Sequence, residues 1–339
     1  MDSPLLAVPD AVAADAPDVG VAAHYGDPFA EQRALAHAAG LVDRSNRDVL
    51  RIAGQDRLTW LNSISTQKLD DLAAGSARQS LILSPHGHVE HHLSLVDDGT
   101  YTWIHAEPGE APSLLGFLES MRFMMRVEAE ELTGGYAVLT AMGPDVRADA
   151  ANDAAAAMDF GFGTDLVVER GQLEKVAAGL RGRGFRMAGI LAHEALRIAA
   201  HRPRFGIDTD HRTIPHEMGW IESAVQLNKG CYRGQETVAR VHNLGHPPRR
   251  LVMLHLDGSA DRLPVPGDLV HAGAAAVGFV GSSARHYELG PVALALIKRS
   301  VPVTEMLQVA GISAAQEVIV PPDAGAHVKI SLGRRSRGQ

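Results

Sequence analysis

The chain has a single cysteine, Cys231, in 339 residues. It cannot form an internal disulfide, which fits a reducing compartment. Nor can it supply a cysteine-ligated zinc or iron–sulfur site by itself. Aromatic residues are scarce at 5%, so the core must be built from Leu, Val, Ala and Met. No basic segment leads into an apolar one at the start. Apolar runs such as Val292–Ile297 fall far short of the ~20 residues that cross a bilayer. A soluble, cytoplasmic protein with no membrane partner is expected. There is no excess of positive charge: 32 Lys and Arg stand against 40 Asp and Glu, a formal charge of −8. This argues against stable nucleic-acid binding but leaves room for a small cationic pocket. Few of the basic residues are Lys, so a Lys in a special place stands out. No internal repeat of 20–50 residues is visible.

What is present is an ordinary globular composition, 45% hydrophobic and 21% charged, in a chain too long for one compact core. Residues 1–26 are rich in Ala, Pro and Asp and read as a loose arm. Strands are expected at Asp48–Ile52, Gln79–Leu83, Val89–Val96 and Tyr101–His105, with a turn at Ser84-Pro85-His86-Gly87 and another at Asp97-Asp98-Gly99. Leu58–Ile64 reads as a helix, and Leu114, Leu118, Met121 and Met125 mark an amphipathic one. Strands follow at Val127–Leu132, Tyr136–Ala141 and Leu166–Glu169, and helices at Leu173–Leu180 and Ala188–Ala200; Ala148–Ala157 reads as a helix or a loop. Meanders alternating with isolated helices indicate α+β rather than a parallel βαβ array. After His246-Pro247-Pro248 the texture changes to short alternating strands, among them Arg250–Leu256, Ala275–Ser282, Val292–Ile297 and Val328–Leu332. These predict an antiparallel barrel or sandwich over 247–333, followed by a basic tail at 334–339.

One segment is not generic. Lys229-Gly230-Cys231-Tyr232-Arg233-Gly234-Gln235-Glu236 brackets the only cysteine with two glycines and two cations, and Arg240 follows on a short helix beginning at Gln235. Nearby cations favour a thiolate. A buried, inert thiol is the plain structural alternative.

This segment resembles the signature of the YgfZ family, relatives of the folate-dependent T protein of the glycine cleavage system. Leu50–Ser63, Arg202-Pro203-Arg204-Phe205-Gly206, Ile214–Glu217, Gly278–Ser282 and Gly290–Ile297 extend the resemblance over about residues 35–335. It implies an α+β three-part ring: two mixed α/β sub-domains with antiparallel sheets within 27–246, and a C-terminal antiparallel β-barrel. It implies tetrahydrofolate or a related folate as cofactor, bound at a central cavity that carries the motif. It also implies assembly or repair of iron–sulfur proteins, whose clients or assembly factors are the partners. Trp60, Trp220 and Tyr232 could offer faces to a pterin; Arg204, Arg233 and Arg240 could offer charge to its carboxylates.

Two departures separate this chain from the transferase branch. Where the T protein carries an Asp-Asp pair, the matching residues are His91 and His92; Glu90 is the neighbouring carboxylate, expected on the opposite strand face from His91. Where the T protein carries a pterin-gripping Glu, the matching residue is Ala199, in Arg197-Ile198-Ala199-Ala200-His201; the lost acceptor implies weak folate binding. The cluster His86, His88, Glu90, His91 and His92 is read as solvated or pocket-lining, without a metal. An iron–sulfur accessory factor is therefore expected. The alternatives are a one-carbon (aminomethyl) transferase and a ligand-free interaction module with a structural cysteine.

Overall fold

The computed structural model describes residues 1–144 and 153–325. The Ala148–Ala157 segment falls partly, and the expected strand Val328–Leu332 and the tail wholly, outside the described residues.

Residues 1–26 are not a loose arm. After a short 3-10 turn at Pro4–Ala7, β1 (Ala11–Ala13) pairs antiparallel with β2 (Ala22–Tyr25). Leu5 and Val21 are buried, which ties the segment to the body. Helix α1 (Pro28–His37) begins at Asp27, whose carboxylate accepts from Phe29 and Ala30 N–H, with Pro28 in the first turn.

One five-stranded sheet is built from β4 (Asp48–Ala53), β5 (Ala77–Leu83), β6 (Val89–Asp97), β7 (Thr102–Ala106) and β8 (Glu128–Glu131), in the order β5-β6-β7-β4-β8. Helices α2 (Arg57–Ile64) and α3 (Ala111–Ser120) cover it, burying Trp60, Leu61, Leu114 and Leu118 against Leu50, Ile82 and Leu93. Helix α3 ends at Ser120, so Met121 and Met125 pack from the following turn rather than from a fourth helical turn.

A second sheet has the order β10-β11-β9-β3-β12, from β3 (Gly40–Asp43), β9 (Tyr136–Met142), β10 (Ala156–Asp159), β11 (Thr164–Glu169) and β12 (Arg186–Ala188). The expected antiparallel pattern has one exception, since β12 runs parallel to β3. Helices α4 (Leu173–Gly182) and α5 (Ile190–Ala199) flank it. Helix α6 (Gln235–Leu244) leads to the closed barrel β13-β16-β15-β14-β17-β18. Its strands are β13 (Arg249–Leu256), β14 (Leu269–Ala272), β15 (Ala275–His286), β16 (Gly290–Lys298), β17 (Leu307–Val309) and β18 (Ile312–Val318).

A shared core joins the parts: Leu81, Leu83 and Val89 of the first sheet meet Ala195 and Ile198 of α5 and Leu251, Met253 and Leu294 of the barrel. No helix among the described residues is long and apolar enough to cross a membrane.

Candidate functional site

A cavity of about 530 Å³ opens between the two five-stranded sheets and α5. Ile190, His193, Glu194 and Arg197 present one face of α5 to it, spaced i, i+3, i+4, i+7. Strands β6 and β7 contribute His92, Ser94 and His105; β9 and β11 contribute Thr140 and Asp165; the segment after α5 contributes Arg202 and Arg204.

The wall is charged and internally paired. Arg204 donates to Asp18 at 2.7 and 2.8 Å and to Glu107 at 2.6 Å. Arg47 also donates to Glu107, at 2.6 Å. Arg197 forks onto Glu194 at 2.9 and 2.7 Å, and Arg44 reaches Asp165 at 3.1 Å. Burial alone would raise these carboxyl pKa values. Instead, Arg47 and Arg204 hold Glu107 well below the usual range, Arg44 does so for Asp165, and Arg197 for Glu194.

The histidines behave oppositely. Burial pushes His92 down to about 4 and His105 down to about 4, so both are neutral at pH 7. The His92 ring stacks on Trp220, with centroids 4.8 Å apart and planes at 29°, and its buried Nε2 has no hydrogen-bond partner. On another part of the wall, the Arg202 guanidinium lies 5.2 Å from the Phe162 ring centre. Stacking faces, an unmatched hydrogen-bonding nitrogen and a cation over an aromatic ring suit a flat, polar heteroaromatic ligand. Among the described residues no cluster of His, Cys, Asp and Glu is arranged to hold a metal ion.

Of the sequence-predicted folate residues, the structure brings Trp220 and Arg204 to the cavity and not the others. Trp60 faces inward from α2, fills the core of the first sheet and donates Nε1–H to Met121 O at 2.8 Å. Tyr232 is buried in the shared core. Ala199 is also absent from the lining, because it lies two positions past Arg197, on a different face of α5. The departure at Ala199 therefore does not strip an acceptor from this wall.

The cysteine motif also lies away from the cavity: none of Lys229–Glu236, nor Arg240, lines it. The motif packs on the β5–β6 hairpin. Lys229 Nζ donates to the carbonyls of Ser65 (2.7 Å), Gln67 (2.8 Å) and Asn62, where α2 ends. Burial lowers its pKa to about 8. Arg233 donates to Glu90 at 2.8 Å. Both cations expected to flank Cys231 are thus committed to other acceptors. Cys231 itself is exposed, as are Glu236 and Arg240. Glu90 does not face away from His91. The β5–β6 register jumps from Ile82↔His91 to Leu83↔Val89, leaving Glu90 as a bulge. Its partner Arg233 and the ring of His91 both sit on Phe117, and His91 Nδ1 lies 2.9 Å from Glu110 Oε2. His91 and His92 consequently serve different environments.

Gly234 explains part of the motif. Its φ is +81°, and a Cβ there would stand 2.6 Å from Ser84 O and 3.0 Å from Leu83 Cβ. Gly234→Ala is expected to cost about 3 kcal/mol or more, through left-handed strain plus the clash. Gly230→Ala, with nothing within 4 Å, should stay within about 0.5 kcal/mol of the parent. Urea unfolding of both variants checks this; equal midpoints would remove the close-approach explanation.

The cavity residues that sequence reading missed, His193, Glu194 and Arg197, carried a signal: a polar stripe at helical spacing on an otherwise apolar helix. Asp18, Glu107 and Asp165 carried none, being single acids on separate elements.

Comparison with known proteins agrees with this architecture. Residues 27–171 match the GCVT N-terminal domain. An aminomethyltransferase of Nitrosococcus oceani is 23% identical over 227 residues, spanning 58% of this chain and 61% of its own length. The chain thus covers somewhat under two thirds of that relative. An aminomethyltransferase of Saccharopolyspora erythraea is 24% identical over 335 residues, 88% of this chain and 90% of its own. The crystal structure of the glycine cleavage system aminomethyltransferase T from Bartonella henselae superposes with a TM-score of 0.79 at 18% identity, covering 96% of this chain and 98% of that one. The fold is GcvT-like.

Proposed function

We propose that the protein is a cytoplasmic, folate-binding accessory factor that supports assembly or repair of iron–sulfur proteins. In this reading the cavity holds a reduced folate, and the exposed face around Cys231 meets client or assembly proteins. The observation that carries it is the state of the cavity wall: a stacking face and an unmatched His92 nitrogen are offered, while Glu107, Asp165 and Glu194 are all held by arginines. Such a wall can bind and orient a pterin, but it offers none of those carboxylates as a free base. The motif supports the second half of the reading. Lys229 and Gly234 spend themselves on holding the loop, and this leaves the Cys231 thiol in solvent.

Calorimetry with tetrahydrofolate and a cell-based assay test the two halves separately. Binding to the parent is expected, as is a drop in iron–sulfur enzyme activity for Cys231→Ser with an unchanged melting temperature. Absence of tetrahydrofolate binding favours the ligand-free interaction module, and unchanged cellular activity removes Cys231 from the function.

The second reading, a one-carbon transferase, is favoured by the names of the relatives and by the shared fold. It requires charge to be managed at a reacting carbon, and His92 stands in the cavity as a neutral ring.

A further inference from the structure

Residues 14–21 form the loop of the β1–β2 hairpin, closed by Ala14 N–H donating to Val21 O at 2.9 Å. Asp15, Ala16, Pro17 and Val19 are exposed, Val19 by 61%, yet Asp18 between them is only 6% exposed. Its carboxylate dips into the cavity wall. Both terminal nitrogens of Arg204 donate to it, at 2.7 and 2.8 Å, and Asn46 Nδ2 donates at 2.9 Å. Two parallel N–H···O bonds from one guanidinium are the geometry by which arginine recognises a carboxylate.

We propose that the Arg204 fork is the anchor for a carboxylate-bearing ligand of the cavity, and that Asp18 is a built-in stand-in which this ligand displaces. The proposal rests on the reading that the cavity binds a ligand, not on that ligand being a folate. Three features support it. Exchanging one carboxylate for another leaves the charge at Arg204 unchanged. Arg204 would not be orphaned while the exchange occurs, because Glu107 stays on it at 2.6 Å. Of the two carboxylates, Asp18 is the one able to leave. Glu107 follows directly on β7 and is also gripped by Arg47 at 2.6 Å, whereas Asp18 sits in a hairpin loop whose neighbours already face water. Loops with few buried contacts open at low cost, and a released Asp18 regains its hydration.

The test uses the full chain and two probes. N-(4-aminobenzoyl)-L-glutamate carries carboxylates and no pterin; a tetrahydropterin without a carboxylate carries the reverse. Asp18→Asn keeps the shape of the loop and removes its charge. It is expected to bind the dicarboxylate about tenfold more tightly than the parent, the worth of one charge-assisted hydrogen bond. Its affinity for the tetrahydropterin should not change. In the parent, amide exchange over residues 14–21 should accelerate when the dicarboxylate saturates the site, a readout that needs no variant. Equal dicarboxylate affinity in parent and variant, no dicarboxylate binding to either, or unchanged loop exchange with the probe bound would each overturn the proposal. Failure of the tetrahydropterin to bind counts against the folate reading instead, because the dicarboxylate result stands apart from it.

Discussion

Supplied with tetrahydrofolate and an aminomethylated carrier, the protein is expected to release ammonia at least ~10²–10³-fold more slowly than an ordinary enzymatic turnover of ~10 s⁻¹. Moving a one-carbon unit onto a folate nitrogen develops positive charge while an amine departs. A preorganised carboxylate stabilises that charge, and losing one such group commonly costs this factor. The cavity has carboxylates, but they are spent. Glu107 lies between Arg47 and Arg204, Glu194 is forked by Arg197, and Asp165 is held by Arg44 and by Thr140 Oγ1 at 2.6 Å. Freeing one of them would break a buried, hydrogen-bonded ion pair and leave the released carboxylate uncompensated, a cost of several kcal/mol. His92 cannot replace them: neutral, it brings no negative charge, and protonated it would repel the developing cation. Ammonia release near ~10 s⁻¹ would move the protein to the transferase reading and show that one of these ion pairs opens during the reaction.

The strands of the first sheet and the longer strands of the barrel are legible because their turns are written in local chemistry. Ser84–Gly87 and Asp97–Gly99 mark hairpins whose strands alternate in register with the core. Helix α1 is not legible despite the start signal Asp27-Pro28, because the composition before it reads as unstructured. Strands β12 and β17, three residues each, are too short to show a period. The motif was visible as unusual, but its place was not. Lys229 and Arg233 flank Cys231 along the chain, and only tertiary contacts send one to the end of α2 and the other to Glu90. The side taken by Glu90 is not legible, because strict alternation assumes a straight strand and a bulge of one residue cancels it. Trp60 shows the same limit from the other side: an aromatic residue suits a ligand face and a core equally, and the inward face of α2 decided for the core.

Acidification from pH 7.5 to pH 5 is expected to destabilise the fold by about 2 kcal/mol for each of His92 and His105. Burial depresses both, from the ordinary 6.5 to about 4. A group whose folded pKa lies below its unfolded value binds its proton more readily in the unfolded chain. Its stabilising contribution is therefore complete above about pH 6.5, and it is lost as the pH falls through the folded value near 4. The neighbours do not reverse this. Glu107 pulls the His92 value up, but Arg47, His105 and Arg202 oppose it; Asp165 raises His105, while Arg47 and Arg44 oppose it. The carboxylates titrate lower. Glu107 and Asp165 are held below the usual carboxylate range, so their contributions begin to fade only as the pH approaches the unfolded carboxyl values near 4. Of these four groups the histidines thus carry the slope between pH 6.5 and 5. Urea unfolding at pH 7.5 and pH 5, compared between the parent and His92→Phe, measures it. The phenyl ring preserves the stack on Trp220 and cannot titrate, so the variant should lose about 2 kcal/mol less than the parent over the same interval. Identical pH slopes in the two proteins would mean that His92 accepts its proton in the folded cavity with little penalty, and that this wall is wetter than its geometry implies.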